Sequence, residues 1–392
     1  PKTEPSSENN MASQAVENPL ITFTGLDGQP LSNGYVYFGD PNTNPIEYPV
    51  PVYWDEALTL PANQPLRTNA GYIYRNGAPS RVWVNGNYST LVQDSQRRQV
   101  YYAPDWTAGS SENIVFIQSG TGAVLRTAQS KMRDAVSVKD FGAVGDDATD
   151  DTLAVQRAVD SGHPCIDVSD GVFSVTQIDL PSNITLVGTG TLKARSTINA
   201  ILFASNKSDI TIRGIKFDGA DNVQSCIRSY ASTTADGLTI DGCEFTGTKD
   251  DPTLNFGCIE VSHAGGRSAN VNITNNYFHD CGTHGAIVAY ADGVKFTGNT
   301  LKNIGQHGME AVTCTNVIES ENLVDTCGTV GPGGSGLGVG SQTAYWKISN
   351  NVVINCKGDA PITCEFTSNF GSIESNIIRD SNAAVGIRFA YG

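Results

Sequence analysis

The chain has 392 residues, enough for two or three domains each with a core of its own, and its 25 Lys and Arg against 40 Asp and Glu leave a net charge of −15. That field repels nucleic acid and anionic membrane, so neither is expected as a partner, and no apolar run approaches the roughly 18 residues that a membrane span requires. The 41 Gly, with 14 Tyr, 14 Phe and only 17% charged residues, point to short strands joined by tight turns and to an all-β chain.

Residues 1–18 open on the polar PKTEPSSENN, ahead of Met11, and are expected to be flexible. Nothing at the start has the charged, apolar and small-residue series of a signal peptide, so if the protein leaves a cell, lysis is the expected route. Nine Cys are scattered without a C-x-x-C pair. Neither a zinc site nor a disulfide framework is signalled, and the cysteines read as free core thiols. No cofactor or metal is expected.

Residues 19–105 are a run of short β-type stretches, from LITFTG through GYVYFGD, PVPVYW, GYIYRNG and RVWVNGNYSTLVQD to QVYYAPD, with Gly, Asn, Asp and Pro turns at hairpin spacing. A compact β-sandwich-like domain follows. The ordered pieces Gly34 to Gly39 (GYVYFG), Asp40 to Pro45 (DPNTNP), Pro51-Val52-Tyr53, Gln64-Pro65-Leu66, Asn69 to Ile73 (NAGYI) and Arg75-Asn76-Gly77 resemble the head-binding domain of Salmonella-type short-tailed phage tailspikes. The resemblance implies a homotrimer that attaches to phage tail or portal-vertex proteins through residues 19–105, and a place in the virion.

Residues 106–137 lack a core pattern and read as a linker with a short helix near Thr127 to Arg133. The string SGTGAV from Ser119, Arg126-Thr127, and Lys131 to Asp134 resemble the neck that precedes the β-helix in phage tail proteins. At Val138 to Gly162 an Asp-rich turn leads into a helix of about 14 residues, with Leu153, Val155, Ala158 and Val159 as its apolar stripe and Thr149 or Asp150 as its N-cap. This segment resembles the entry of the pectate-lyase-like right-handed parallel β-helix superfamily, in which such a helix caps the open end. Asp146, Asp147, Asp150 and Asp151 lack the spacing of a calcium loop and its closing Glu.

From Ser208 the chain repeats. Taking Ile212, Ile240, Ile273, Phe296, Ile318, Ile348 and Ile373 as equivalent gives intervals of 28, 33, 23, 22, 30 and 25. Irregular length with a constant apolar register fits a parallel β-helix over residues 138–392. Asn276, Asn299, Asn322, Asn351 and Asn376 recur at one turn position and are expected to form a structural ladder from coil to coil. The last coil, AAVGIRFAYG, stops in mid-pattern, so a longer protein is expected, in which catalytic residues could lie beyond Gly392.

A second strand follows each first one, with Ile227, Ile259, Ile287, Met309, Leu337, Ile362 and Ile387 expected to point inward and Arg228, Glu260, Val288, Glu310, Gly338, Thr363 and Arg388 to line an outward face. Coils about 4.8 Å apart put Glu260 and Glu310 roughly 9.6 Å apart along the backbone, with Val288 between. Tilt could bring their carboxyls to the separation of an inverting glycosidase. Glu365 and Asp359 are further catalytic candidates, and Asp250 and Asp251 are alternates. Arg228, Tyr230 and Tyr290 are candidate sugar contacts. His284 and His307, in GTHG and GQHG on adjacent coils, read first as a stacked structural pair and second as substrate contacts. Polygalacturonases carry a Gly-His-Gly too, but their paired-Asp motifs are not found here, so that active site is not transferred.

The leading expectation is a tailspike that recognises and hydrolyses a bacterial lipopolysaccharide O-antigen or capsule by carboxylate acid and base catalysis. A binding-only adhesin is the second, and a polysaccharide lyase using Arg228 or Arg388 the third. A deacetylase is fourth, since no Ser-His-Asp arrangement stands out.

Overall fold

The computed structural model describes residues 13–15, 22–106, 114–232, 235–250, 256–263, 265–330, 333–365, 367–383 and 385–390. Asp251 and most of the flexible start expected for residues 1–18 lie outside the described residues. The chain divides into two units, Pro1–Asp134 and Ala135–Gly392, and each has its own core.

In the first unit the turn-rich sequence forms a four-stranded and a six-stranded sheet, antiparallel throughout. Val36, Phe38, Val52, Leu66, Val84 and Val92 are among the residues of its core. Gln64 acts as an extra rung: its amide accepts from the Phe38 N–H at 2.6 Å and donates to the carbonyls of Phe38 and Val50 at 2.9 and 2.7 Å. The short helix spans Ala128–Met132, and the Thr127 side chain caps it by accepting from the Ser130 N–H.

The second unit is a right-handed parallel β-helix of about nine coils. Each coil has three faces. Strands of the first face stack into a ten-stranded parallel sheet, and the second and third faces are two columns of an eighteen-stranded one. Core columns run the length of the solenoid because parallel pairing places equivalent side chains over one another. On the second face Phe217, Phe245 and Phe278 stack with centroids 5.0 and 4.8 Å apart, and Leu301, Val324 and Val353 continue the column. The nine cysteines are free, eight of them buried.

The asparagine ladder forms. Each Asn Nδ2 donates to the Oδ1 of the next coil, from Asn276 through Asn299, Asn322 and Asn351 to Asn376, at 3.0 to 3.1 Å. Each also donates to a backbone carbonyl of the preceding coil.

Five expectations need correction. The capping helix spans Thr152–Val159, eight residues rather than about 14, because Asp146–Asp150 is a strand paired with Val172–Val175. Its N-cap is Asp151, whose carboxylate instead accepts from the Val144 and Gly145 N–H groups, and Leu153 is exposed. On the first face, the residue stacked between Phe296 and Ile348 is Glu319, not Ile318, which is 40% exposed. On the third face the column runs Ile259, Ala286, Met309, so Ile287 takes the outward place given to Val288, and Val288 is buried in the core. The strand AIVAY is apolar on both sides and carries no alternation from which its register could be read.

Candidate functional site

Strand alternation on the third face puts one residue per coil on the outside, in the order Arg228, Glu260, Ile287, Glu310, Gly338, Thr363, Arg388. The column two residues further along runs Tyr230, Ser262, Ala289, Val312, Gly340, and Glu365 extends it, one residue beyond the Val339 and Cys364 pairing. Apart from Arg388, on the last strand, each candidate sits on a strand paired on both sides, which fixes its spacing along the solenoid.

Glu260 is buried at 7% exposure. Arg228 Nε lies 2.9 Å from its Oε2, and the guanidinium sits 5.0 Å over the Phe256 ring. Burial raises the Glu260 carboxyl above the usual range, opposed in part by Arg228 and by Ser225. Glu260 is thus bound to a neighbour on its own column, and Ile287 separates it from Glu310.

Glu310 is half-buried and, among the described residues, has no basic partner of that kind. The next coil offers Gly338 and Gly340 in place of side chains, and Glu310 leans into the gap: its Oε1 is 2.9 Å from where a Cβ on Gly340 would stand. Glu365 flanks the same gap from the following coil. Burial pushes the Glu310 carboxyl up; His307 draws it down and the charge of Glu365 pushes it up again. A carboxyl with its proton affinity raised, beside a second carboxyl, is the arrangement of a general acid with its partner. The structure brings Glu310 and Glu365 together and leaves Glu260 apart.

Asp359 is exposed and paired with Arg388. Tyr230 is 42% exposed on the outer column, whereas Tyr290 lies one residue beyond that column, in a turn with φ of 60°. His284 and His307 lie on adjacent coils with ring centroids 4.9 Å apart and ring planes tilted by 38° rather than stacked. The His307 N–H donates to His284 Nδ1, and His307 Nδ1 is 2.8 Å from Ser335 Oγ. Burial, with His307 beside it, lowers His284 to about 3, so this pair ties turns together inside the coil.

The sequence reading missed two features. Ser229 Oγ lies 3.0 Å from His263 Nε2, and Asp236 acts on that imidazole, which burial nonetheless lowers to about 4. Both side chains are enclosed, at 3% and 1% exposure, so a substrate cannot reach the serine. The second is a groove of about 600 Å³ at the corner between the second and third faces, walled by Asp221, Asp250, Asp280 and Asn303. Its residues come from separate coils, and no local motif could announce it. Among the described residues no group of three or more His, Cys, Asp or Glu is arranged to hold a metal.

Comparison with known proteins agrees with the fold. The profile of the right-handed β-helix region matches residues 199–377. A mannuronan C5-epimerase (AlgE3) of Azotobacter vinelandii is 29% identical over 235 residues, covering 51% of this chain and 12% of the epimerase. The tail spike protein of Shigella phage Sf6 is 29% identical over 161 residues, covering 33% of this chain and 26% of the spike. The pre-neck appendage protein of Bacillus phage B103 is 40% identical over 68 residues, 17% of this chain and 8% of that protein. The chain thus spans about a quarter or less of the length of these relatives.

Proposed function

We propose that this chain is the attachment and glycan-engaging part of a homotrimeric phage tailspike, and that its third face hydrolyses a bacterial surface polysaccharide with Glu310 as general acid and Glu365 as its partner base. A rigid solenoid with side chains at fixed increments suits an extended polymer. Two phage appendage proteins and a polysaccharide epimerase among the relatives support a virion component that acts on glycans. The antiparallel first unit is the expected attachment module, joined to tail or portal-vertex proteins.

The observation that carries the hydrolase reading is Glu310 itself, a half-buried carboxyl with a raised pKa, leaning over Gly340 toward Glu365. In its protonated form it can give a proton to a glycosidic oxygen while Glu365 activates water. A lyase would need a free cation beside an acidic sugar, and both arginines of the outward column are already engaged, Arg228 by Glu260 and Arg388 by Asp359.

Incubation with a panel of smooth lipopolysaccharides and capsules, followed by mass spectrometry of released oligosaccharides, tests this. Discrete hydrated fragments are expected from one polymer. Glu310→Gln or Glu365→Gln should slow their release by about 10²- to 10⁴-fold, and Glu260→Gln should leave cleavage measurable. Rate should fall as pH rises through the elevated Glu310 pKa. Binding without fragments would make the chain an adhesin, and fragments ending in an unsaturated sugar would make it a lyase.

A further inference from the structure

The corner groove is shaped to hold a chain running along the solenoid. Its lining comes from five successive coils, which at about 4.8 Å per coil makes it roughly 19 Å long. Gly282 and Gly305 let adjacent coils of the lining pack closely. A Cβ on Gly282 would stand 2.4 Å from the Asp250 Cα, and one on Gly305 would stand 2.1 Å from the Gly282 carbonyl oxygen. Neither position has room for a side chain.

The walls present acceptors. Asp221, Asp250 and Asp280 contribute three carboxylates, with Asn303 and two threonines, against the single ammonium of Lys249. Hydrogen bonds from Asn303 and His279 hold the Asp280 carboxyl below its usual range, so it stays charged at neutral pH. On the outward column beside the groove, Arg228 and Arg388 are both neutralised by carboxylates. A glycan bearing uronate, phosphate or sulfate would meet like charge along the groove, in a protein whose net charge is already −15. Hydroxyl, acetamido and ammonium groups would instead donate into the carboxylates and carbonyls.

We infer that the polysaccharide taken by this solenoid is built of neutral or amino sugars without acidic residues, and that its chain runs through the corner groove against Asp221, Asp250 and Asp280. This rests on the polysaccharide reading above and selects among polysaccharides.

The test is binding by biolayer interferometry at low salt with a chelator present, so that divalent ions bridge nothing. The immobilised polymers are alginate and a set of smooth lipopolysaccharides whose repeats are neutral, amino-containing or acidic. The wild type should bind only polymers without acidic sugars. An Asp221→Lys, Asp250→Lys double variant changes two exposed side chains, and its fold is checked by circular dichroism; it should lose that binding by about tenfold or more. Glu374→Gln, on the first face away from the groove, should bind as the wild type does; binding is read apart from cleavage, so failure of the acid-base assignment would leave this inference standing. Wild-type binding to alginate or to an acidic repeat would overturn it, as would a double variant that binds unchanged. If no polymer binds at all, this inference and the polysaccharide reading fall together.

Discussion

Glu319 occupies the column position that Phe296 and Ile348 fill on the neighbouring coils, with no exposed surface and, among the described residues, no hydrogen-bond partner for either carboxyl oxygen. Burial raises its pKa well above the usual carboxylate value, and the charge of Glu310 adds to the effect. Below the unfolded pKa, near 4.5, both states are protonated and pH contributes nothing. Above it the unfolded chain ionises while the folded one does not, so stability falls as pH rises until the elevated folded pKa is passed. Glu319→Ile matches the column and removes the unpaired group. Urea unfolding should show the variant more stable by about 1–3 kcal/mol at pH 5, with a larger gap at pH 8. An equal gap at the two pH values would mean that Glu319 is ionised in the folded protein.

At the scale of the element, the asparagine ladder joins five coils into one hydrogen-bonded spine. Asn322 sits mid-ladder: Nδ2 donates to the Phe296 carbonyl and to Asn351, while Oδ1 accepts from the Asn299 backbone and side chain. Asn322→Ala leaves several buried groups unpaired at about 1–3 kcal/mol each. It should therefore lower the unfolding midpoint more than Asn376→Ala, whose side chain is only part-buried at the ladder's last rung; equal losses would show that the rungs act independently. This spine was legible because a polar residue recurring at one turn has few other uses. The asparagines also carried the register that the apolar residues blurred. Their intervals are 23, 23, 29 and 25, whereas a column through Ile318 gives 23, 22, 30 and 25. The one-residue mismatch at Ile318 marks Glu319 as the core residue, against the ordinary rule that keeps a carboxylate outside. Glu260 and Glu310 were legible as outward carboxylates. The approach of Glu310 to Glu365 was not, because it depends on a missing side chain at Gly340 two residues out of register. Nor was the pairing of Glu260 with Arg228, which lie on different coils 32 residues apart.

For the whole molecule, the two units draw on different physics. The first unit folds by antiparallel pairing around a small core of its own, Leu31 to Val92. The second buries one continuous core from Val138 to Cys364, in which each coil packs only on its neighbours, so its stability sums over coils and interfaces. The boundary at Asp134 and Ala135 falls before the first solenoid strand, Val136–Ser137, and ahead of the Thr152–Val159 helix, whose Val155, Ala158 and Val159 belong to the solenoid core. A fragment of residues 135–392 keeps that helix and the whole of that core. It should therefore retain a β-rich circular dichroism spectrum and unfold in urea with the midpoint that the solenoid shows in the full chain. A midpoint lowered by more than the error of the fit would mean that residues 1–134 support the solenoid through contacts across the boundary, and the two units would then have to be treated as one cooperative body.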